Sequence, residues 1–273
     1  MSFLAEMAVG SRRRVEAARR GTPEAELLAR VRALPPAPRL AQHAQRFDLN
    51  AEVKLRSPAA GVLAGRGGED PAARVTAYAR AGAAAVSVLT EPSRFDGSME
   101  HLTLAAKALA SSGVPAMRKD FLVDPYQVLE ARAAGAGGVL VILRMLPREG
   151  IESLLDCAEG LDMFVLLEAF DAQDLELAAR IAESRSRILV GINCRDLTTL
   201  QVVPERLFEL ARRLPSNVPR VAESGVATPD DARRVAEAGY DYALVGSALM
   251  AATDPAALAS ELLAAGRRAR SAG

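Results

Sequence analysis

Histidine is almost missing from this chain: among 273 residues it occurs only at His43 and His101. Neither stands beside a polar strand end, which argues against a histidine-based triad and a multi-histidine metal site. Cysteine is as scarce. Cys157 and Cys194 offer no disulfide framework and no thiolate metal site, the usage expected in a reducing cytoplasm. Charge of one sign does not dominate either, with 34 acidic and 34 basic residues, so no overall positive field points to nucleic acid or an acidic membrane surface. Long apolar runs are absent: stretches such as 133–143 fall far short of the roughly 20 residues a membrane helix needs. The first twenty residues place their charges after a weak apolar patch, the reverse of a secretory signal.

Lysine is the most informative scarcity. It occurs only at Lys54, Lys107 and Lys119, so 31 of the 34 basic residues are arginine. A chain so biased keeps lysine where an ammonium able to give up a proton does what guanidinium cannot, which singles out Lys54 and Lys119. What is present in quantity is apolar surface: 50% hydrophobic and 25% charged residues describe an ordinary globular protein with a sizeable core.

From residue 49 onward, short apolar or β-branched runs alternate with amphipathic stretches of helical spacing. The runs cover 49–55, 83–90, 114–120, 137–143, 163–169, 187–193, 219–225 and 242–246, with starts 23 to 34 residues apart. Each interval holds a strand, a helix and two loops. Asp70-Pro71, Asp124-Pro125, Thr228-Pro229 and Asp254-Pro255 put a capping side chain before a proline at a helix start. Gly82, Gly135 and Gly239 follow alanine-rich stretches where a left-handed cap is wanted. Eight such units predict an α/β protein, a (β/α)8 TIM barrel, with an open doubly wound sheet as the alternative. No glycine-rich dinucleotide fingerprint follows the first strand, which weakens that alternative. Residues 1–47 lie outside the repeat. They read as two helices and a stiff PPAPRL connection, a helical N-terminal extension of one domain spanning 1–273.

In a parallel barrel the chemistry lies at the carboxyl ends of the strands. Glu52 and Lys54, two apart, share one side of the first strand. Lys119 ends the third, Glu168 the fifth, Asn193 with Arg195 the sixth, and Glu223 the seventh. One strand-end charge is ordinarily a structural ion pair; five converging on one rim suit proton transfer between lysines and carboxylates. Ser224-Gly225 and Gly246-Ser247 follow the last two strands, where barrels often bind phosphate through backbone N–H groups. A glycine after a strand is more often only a turn, so the reading rests on having both.

The segments AEVKLRSP (51–58), SVLTEPSRFDGS (87–98), RKDF (118–121), GINCRDL (191–197), AESG (222–225) and LVGSALM (244–250) closely resemble, in order and spacing, the motifs of the indole-3-glycerol phosphate synthase family. The resemblance implies a barrel with an N-terminal helical extension. It implies conversion of 1-(2-carboxyphenylamino)-1-deoxyribulose 5-phosphate to indole-3-glycerol phosphate with loss of carbon dioxide and water. It assigns Lys119 as the acid in ring closure, Glu168 as acid-base partner in dehydration, and Lys54, Glu52, Asn193 and Glu223 as the remaining catalytic positions. Ser57, Pro58, Phe95, Phe121, Leu140, Arg195, Leu197 and Leu244 become substrate-binding positions, and Ser224, Gly225, Gly246 and Ser247 phosphate-binding ones. It implies no metal or cofactor, a phosphorylated small-molecule substrate, a cytoplasmic location and a monomer or weak homo-oligomer.

Three departures from the family's pattern stand out. Ser57-Pro58 is followed by Ala59 where the family usually has serine, Cys194 replaces asparagine or serine, and Phe170 is an unusual aromatic after Glu168-Ala169. Competing readings are a phosphoribosylanthranilate isomerase, a Schiff-base aldolase using Lys119, or a silent paralogue that only binds phosphorylated metabolites. The isomerase would need a cysteine on the first strand, and neither cysteine is there. Retention of both lysines in so arginine-rich a chain speaks against silence.

Overall fold

A computed structural model describes residues 2–41, 47–57, 61–62 and 71–271. Helices α1 (Phe3–Gly21) and α2 (Glu24–Arg32) precede the first strand. Among the described residues ten strands follow: β1 (Asp48–Val53), β2 (Arg56–Ser57), β3 (Gly61–Val62), β4 (Ala85–Leu89), β5 (Ala116–Lys119), β6 (Gly138–Ile142), β7 (Phe164–Ala169), β8 (Ile188–Asn193), β9 (Arg220–Glu223) and β10 (Tyr242–Val245). β1 and β4 to β10 close into an all-parallel barrel, β1 pairing with both β4 and β10. This is a (β/α)8 barrel with an N-terminal helical extension. The two-residue strands β2 and β3 form a small antiparallel pair beyond β1.

The eight expected strand runs are the eight barrel strands, seven of them trimmed at one or both ends and the first shifted to begin at Asp48. The helix punctuation acts as its chemistry dictates. Asp124 accepts a hydrogen bond from the Tyr126 N–H, and Thr228 and Asp231 form a reciprocal capping box. Gly82, Gly135 and Gly239 take φ of +95°, +92° and +97°, a region costly for any residue with a Cβ. Asp70 and His43 lie outside the described residues.

Strand alternation divides the core in two. Leu49, Ala51, Val53, Val139, Val141, Val165, Leu167, Val190 and Ile192 point outward and pack under the surrounding helices. Their neighbours Met117, Leu140, Phe164, Leu166, Leu189, Val221, Tyr242 and Leu244 fill the barrel interior. A third cluster fastens the extension: Val15 and Leu27 pack on Tyr126 and Leu129 of the helix Pro125–Ala133. The Gln127 side-chain amide donates to Ser11 Oγ at 2.9 Å, and Tyr126 Oη donates to the Thr22 carbonyl at 2.9 Å. The extension therefore rests on the barrel wall beside β5. Among the described residues no helix is long and apolar enough to cross a membrane.

Candidate active site

The interior alternation that stacks apolar side chains low in the barrel reaches polar ones at the carboxyl ends. Two residues beyond Met117 comes Lys119; beyond Leu166, Glu168; beyond Val221, Glu223; beyond Asn50, Glu52. These side chains line a cavity of about 390 Å³ at that end. Of the sites singled out in the sequence, Glu52, Lys54, Phe95, Lys119, Phe121, Leu140, Glu168, Asn193, Arg195, Leu197, Glu223, Ser224, Gly225, Leu244, Gly246 and Ser247 line it. Ser57 is described only in its backbone, which pairs with Gly61, while Pro58 and Ala59 lie outside the described residues.

Two ion pairs stand side by side. Lys54 Nζ is 2.5 Å from Glu52 Oε1, and Lys119 Nζ is 3.1 Å from Glu168 Oε2 and 3.6 Å from Glu223 Oε2. Asn193 Nδ2 donates to Glu168 Oε1 at 3.2 Å, while Asn193 Oδ1 accepts from the Arg195 N–H and from Ser224 Oγ. Asn193 thus orients Glu168 and is itself held from both sides. Backbone room is also required: a Cβ on Gly191 would strike the Glu223 carboxylate, and one on Gly246 would strike that of Glu52 and approach Lys54 Nζ to 3.0 Å.

Burial opposes charge throughout this cluster, so proximity decides who keeps it. At Lys119, burial works against the ammonium, yet Glu168, Glu223 and Glu52 outweigh it and hold the group protonated well above the ordinary lysine range. Three carboxylates around one ammonium thus keep the proton on Lys119. Glu52 is pulled below the usual carboxylate range by Lys54 and Lys119 despite its burial. Glu223 goes the other way: burial and the adjacent Glu168 push its carboxyl well above the usual range, with Lys119 only partly offsetting them. The Glu223 carboxyl is enclosed between Glu168, which raises it, and Lys119 Nζ at 3.6 Å, which lowers it, so the two carboxyls titrate as a pair.

The opposite wall is apolar. Phe121 meets Phe3 edge-on at 5.7 Å between ring centroids and lies 6.1 Å from Phe95, with Leu140, Ile142 and Leu197 beside them. Phe3 was not legible as a site residue because it belongs to α1, over a hundred positions before Phe121. The segment after β8 folds back through a bridge between Arg195 and Val202, which brings Leu200 and Val202 to the cavity. Beyond β9, Ser224 and Gly225 turn through φ of +66° and +71°, and the Ser224 hydroxyl bond to Asn193 helps hold a conformation that costs a non-glycine residue about 1 kcal/mol.

The two departures among the described residues, Cys194 and Phe170, do not line the cavity. Cys194 is buried beneath the Ser224-Gly225 turn, its thiol pushed up to about 11 by burial, and Phe170 lies under the Arg144 guanidinium, 4.7 Å from the ring centroid. Burial also pushes the Cys157 thiol up to about 11, so neither cysteine is a ready nucleophile near neutral pH. Among the described residues no group of three or more histidine, cysteine or carboxylate side chains is placed to hold a metal ion.

Solved structures of similar shape share the barrel. Thiamine phosphate pyrophosphorylase from Pyrococcus furiosus superposes with a TM-score of 0.59 at 18% identity, covering 83% of this chain and 99% of that one. Tryptophan synthase from M. tuberculosis superposes with a TM-score of 0.58 at 18% identity, covering 82% and 93%. At such identities the likeness concerns fold alone. Sequence comparison is more specific. The family model described as indole-3-glycerol phosphate synthase matches residues 4–262. An indole-3-glycerol phosphate synthase of Parafrankia sp. (strain EAN1pec) is 43% identical over 268 residues, 97% of each chain. That of Kineococcus radiotolerans is 44% identical over 216 residues, 79% of this chain and 76% of its own. The chain, whose match runs through the extension and every barrel strand, belongs to the indole-3-glycerol phosphate synthase family.

Proposed function

We propose that this protein closes the indole ring of 1-(2-carboxyphenylamino)-1-deoxyribulose 5-phosphate, releasing carbon dioxide and water to give indole-3-glycerol phosphate, and that the cavity residues divide the work as follows. The observation carrying the reading is one cavity with a charged lysine-carboxylate wall facing an aromatic wall. The substrate has the same two characters: an aryl ring, and a ribulose chain whose carbonyl must gain a proton.

As the ring carbon bonds to the carbonyl carbon, the carbonyl oxygen becomes alkoxide-like and far more basic than the neutral ketone. Lys119, held protonated by its carboxylate neighbours, then has an acceptor basic enough to take its proton. Phe3, Phe95, Phe121 and Leu140 enclose the aryl ring and strip water from its carboxylate, with Lys54 as the adjacent positive charge. Loss of carbon dioxide returns the bonding pair to the ring. Dehydration requires a proton for the departing hydroxyl and a base for the ring proton, and Glu168, beside Glu223 with its carboxyl raised well above the usual range, supplies such a pair. The turns at Ser224-Gly225 and Gly246-Ser247 receive the phosphate through their backbone N–H groups. The free Cys157 and Cys194 support a cytoplasmic location.

Incubating the purified chain with that substrate and following indole fluorescence without added metal tests the reading. Fluorescence growth in step with substrate loss is expected. Substrate that remains intact, while still protecting the chain against thermal unfolding, would mean a binding protein and not an enzyme. Covalent trapping by borohydride would favour the aldolase reading.

A further inference from the structure

α1 does more at the barrel rim than supply Phe3. Arg14, on the same helix, reaches two rim segments at once: its Nη2 is 2.7 Å from Asp120 Oδ1, and its Nη1 is 3.5 Å from Glu91 Oε1. Both carboxylates are buried, at 2% and 1% exposure, and each organises its own segment. Asp120 directly follows Lys119. It accepts from the Phe121 N–H at 2.8 Å, from Thr90 Oγ1 at 2.7 Å and from Arg118 Nη2 at 3.1 Å. Glu91 caps the short helix Pro92–Phe95, accepting from the Ser93 N–H at 2.9 Å, Ser93 Oγ at 2.6 Å and the Arg94 N–H at 2.7 Å. The two segments are further joined where the Thr90 N–H donates to the Lys119 carbonyl at 3.1 Å.

The charges single out Arg14. Arg118 already pairs with Asp120 and donates through Nε to Thr90 Oγ1 at 3.1 Å, while its remaining hydrogen bonds go to the Gln127 carbonyl and Glu130, and no ion pair joins it to Glu91. Among the described residues Arg14 is the one cation recorded against Glu91 and the one group bridging Glu91 to Asp120. A planar guanidinium with several N–H donors can serve two carboxylates at fixed spacing, which a lysine ammonium cannot do with the same geometry.

We propose that Arg14 is a positioning residue for ring closure: by bridging Asp120 and Glu91 it holds the segments bearing Lys119, Phe121 and Phe95 at their working separation, so docking of α1 completes the site. This rests on the reading of Lys119 as the acid. A displacement near 1 Å between an acid and the atom it protonates can cost about a hundredfold in rate, so losing the bridge is felt in turnover. Arg14 touches neither the turn after β9 nor that after β10, so the hold on phosphate is left alone.

Three variants test this. Arg14→Met is expected to lower kcat at least tenfold while KM changes less than threefold, and Arg14→Lys, which serves one carboxylate well, recovers part of the loss. Arg19→Met is the control. Arg19 docks the same helix through Asp124 at 2.8 Å and lies over the Tyr126 ring, remote from the cavity lining, so it is expected to lower the melting temperature with kcat retained. A kcat for Arg14→Met within twofold of the native value, or an equal fall in Arg19→Met, would reduce Arg14 to an anchor and overturn the proposal. Should Arg14→Met not fold, Arg14→Lys decides alone: a severalfold lower kcat supports positioning, and an unchanged one refutes it. Lys119→Arg, assayed alongside, reports separately on the acid assignment.

Discussion

The two ends of the barrel interior are built by the same strands and behave oppositely. At the amino end Met117, Phe164, Leu166, Leu189, Val221 and Tyr242 leave a void of about 10 Å³. The polar pair there is neutral: Ser87 Oγ donates to Asn50 Oδ1 at 2.9 Å. At the carboxyl end, two residues further along, the space opens to about 390 Å³ among two lysines, Arg195, Asp120 and three glutamates. The same strands run through both, so the difference lies in the side chains they present and in the segments after β8, β9 and β10 and the α1 residue Phe3 that close over the carboxyl end. A neutral hydrogen-bonded pair is satisfied and stays inert. The ionisable groups there are not all satisfied alike: Lys54 pairs with Glu52 and Lys119 with Glu168, while burial and the adjacent Glu168 push the Glu223 carboxyl well above the usual range. The carboxyl end is thus stability forgone for reactivity.

The largest expected effect breaks the reactive end while sparing its charge. Lys119→Arg should lower kcat by at least about a hundredfold, within the usual range for losing a general acid, because guanidinium does not release a proton near neutral pH. Circular dichroism and melting should be near native; a tenth of native turnover would make Lys119 a charge clamp.

Glu223→Gln sharpens the comparison by making the two ends more alike. We expect kcat to drop by about tenfold, as for the loss of part of a proton-transfer pair. Stability should move the other way. The native state holds on to a proton that the unfolded chain releases, so Glu223 costs the native protein stability as pH rises above the ordinary carboxylate range toward its raised value. Glutamine does not titrate. The variant should melt a few degrees higher than native at pH 8 and by less at pH 5; a gap that fails to widen with pH would mean Glu223 ionises normally.

Gly246→Val tests the turn after β10. Loss of phosphate contacts should raise KM by about tenfold, and because the new side chain would strike Glu52, kcat should fall as well. An unchanged KM, with inorganic phosphate failing to compete, would move the phosphate elsewhere. The smallest functional effect is expected at the inert end. Ser87→Ala leaves Asn50 without its hydrogen-bond donor and should cost about 1 to 3 kcal/mol, read as a lower melting temperature, with kcat and KM native. A fall in kcat would show that the amino end is not inert.

Local chemistry made much of this legible in advance. Strands buried on both faces must be almost wholly apolar, so 137–143 and 163–169 announce themselves. Proline at a first helical turn and glycine at a left-handed cap are decided within a few residues, as at Asp124-Pro125 and Gly239. Polar residues ending such strands, from Glu52 to Glu223, are conspicuous for the same reason. The tertiary structure alone decided what depends on distance between remote segments. Arg14 meets Asp120 across 106 positions, and Phe3 joins the aromatic wall from the same helix. Nothing in either local stretch encodes those meetings. Nor does AESG reveal that its glutamate is raised well above the usual carboxylate range: a carboxyl's charge is set by how deeply it is buried and by which charges stand within a few ångströms, and here that neighbour, Glu168, arrives from another strand.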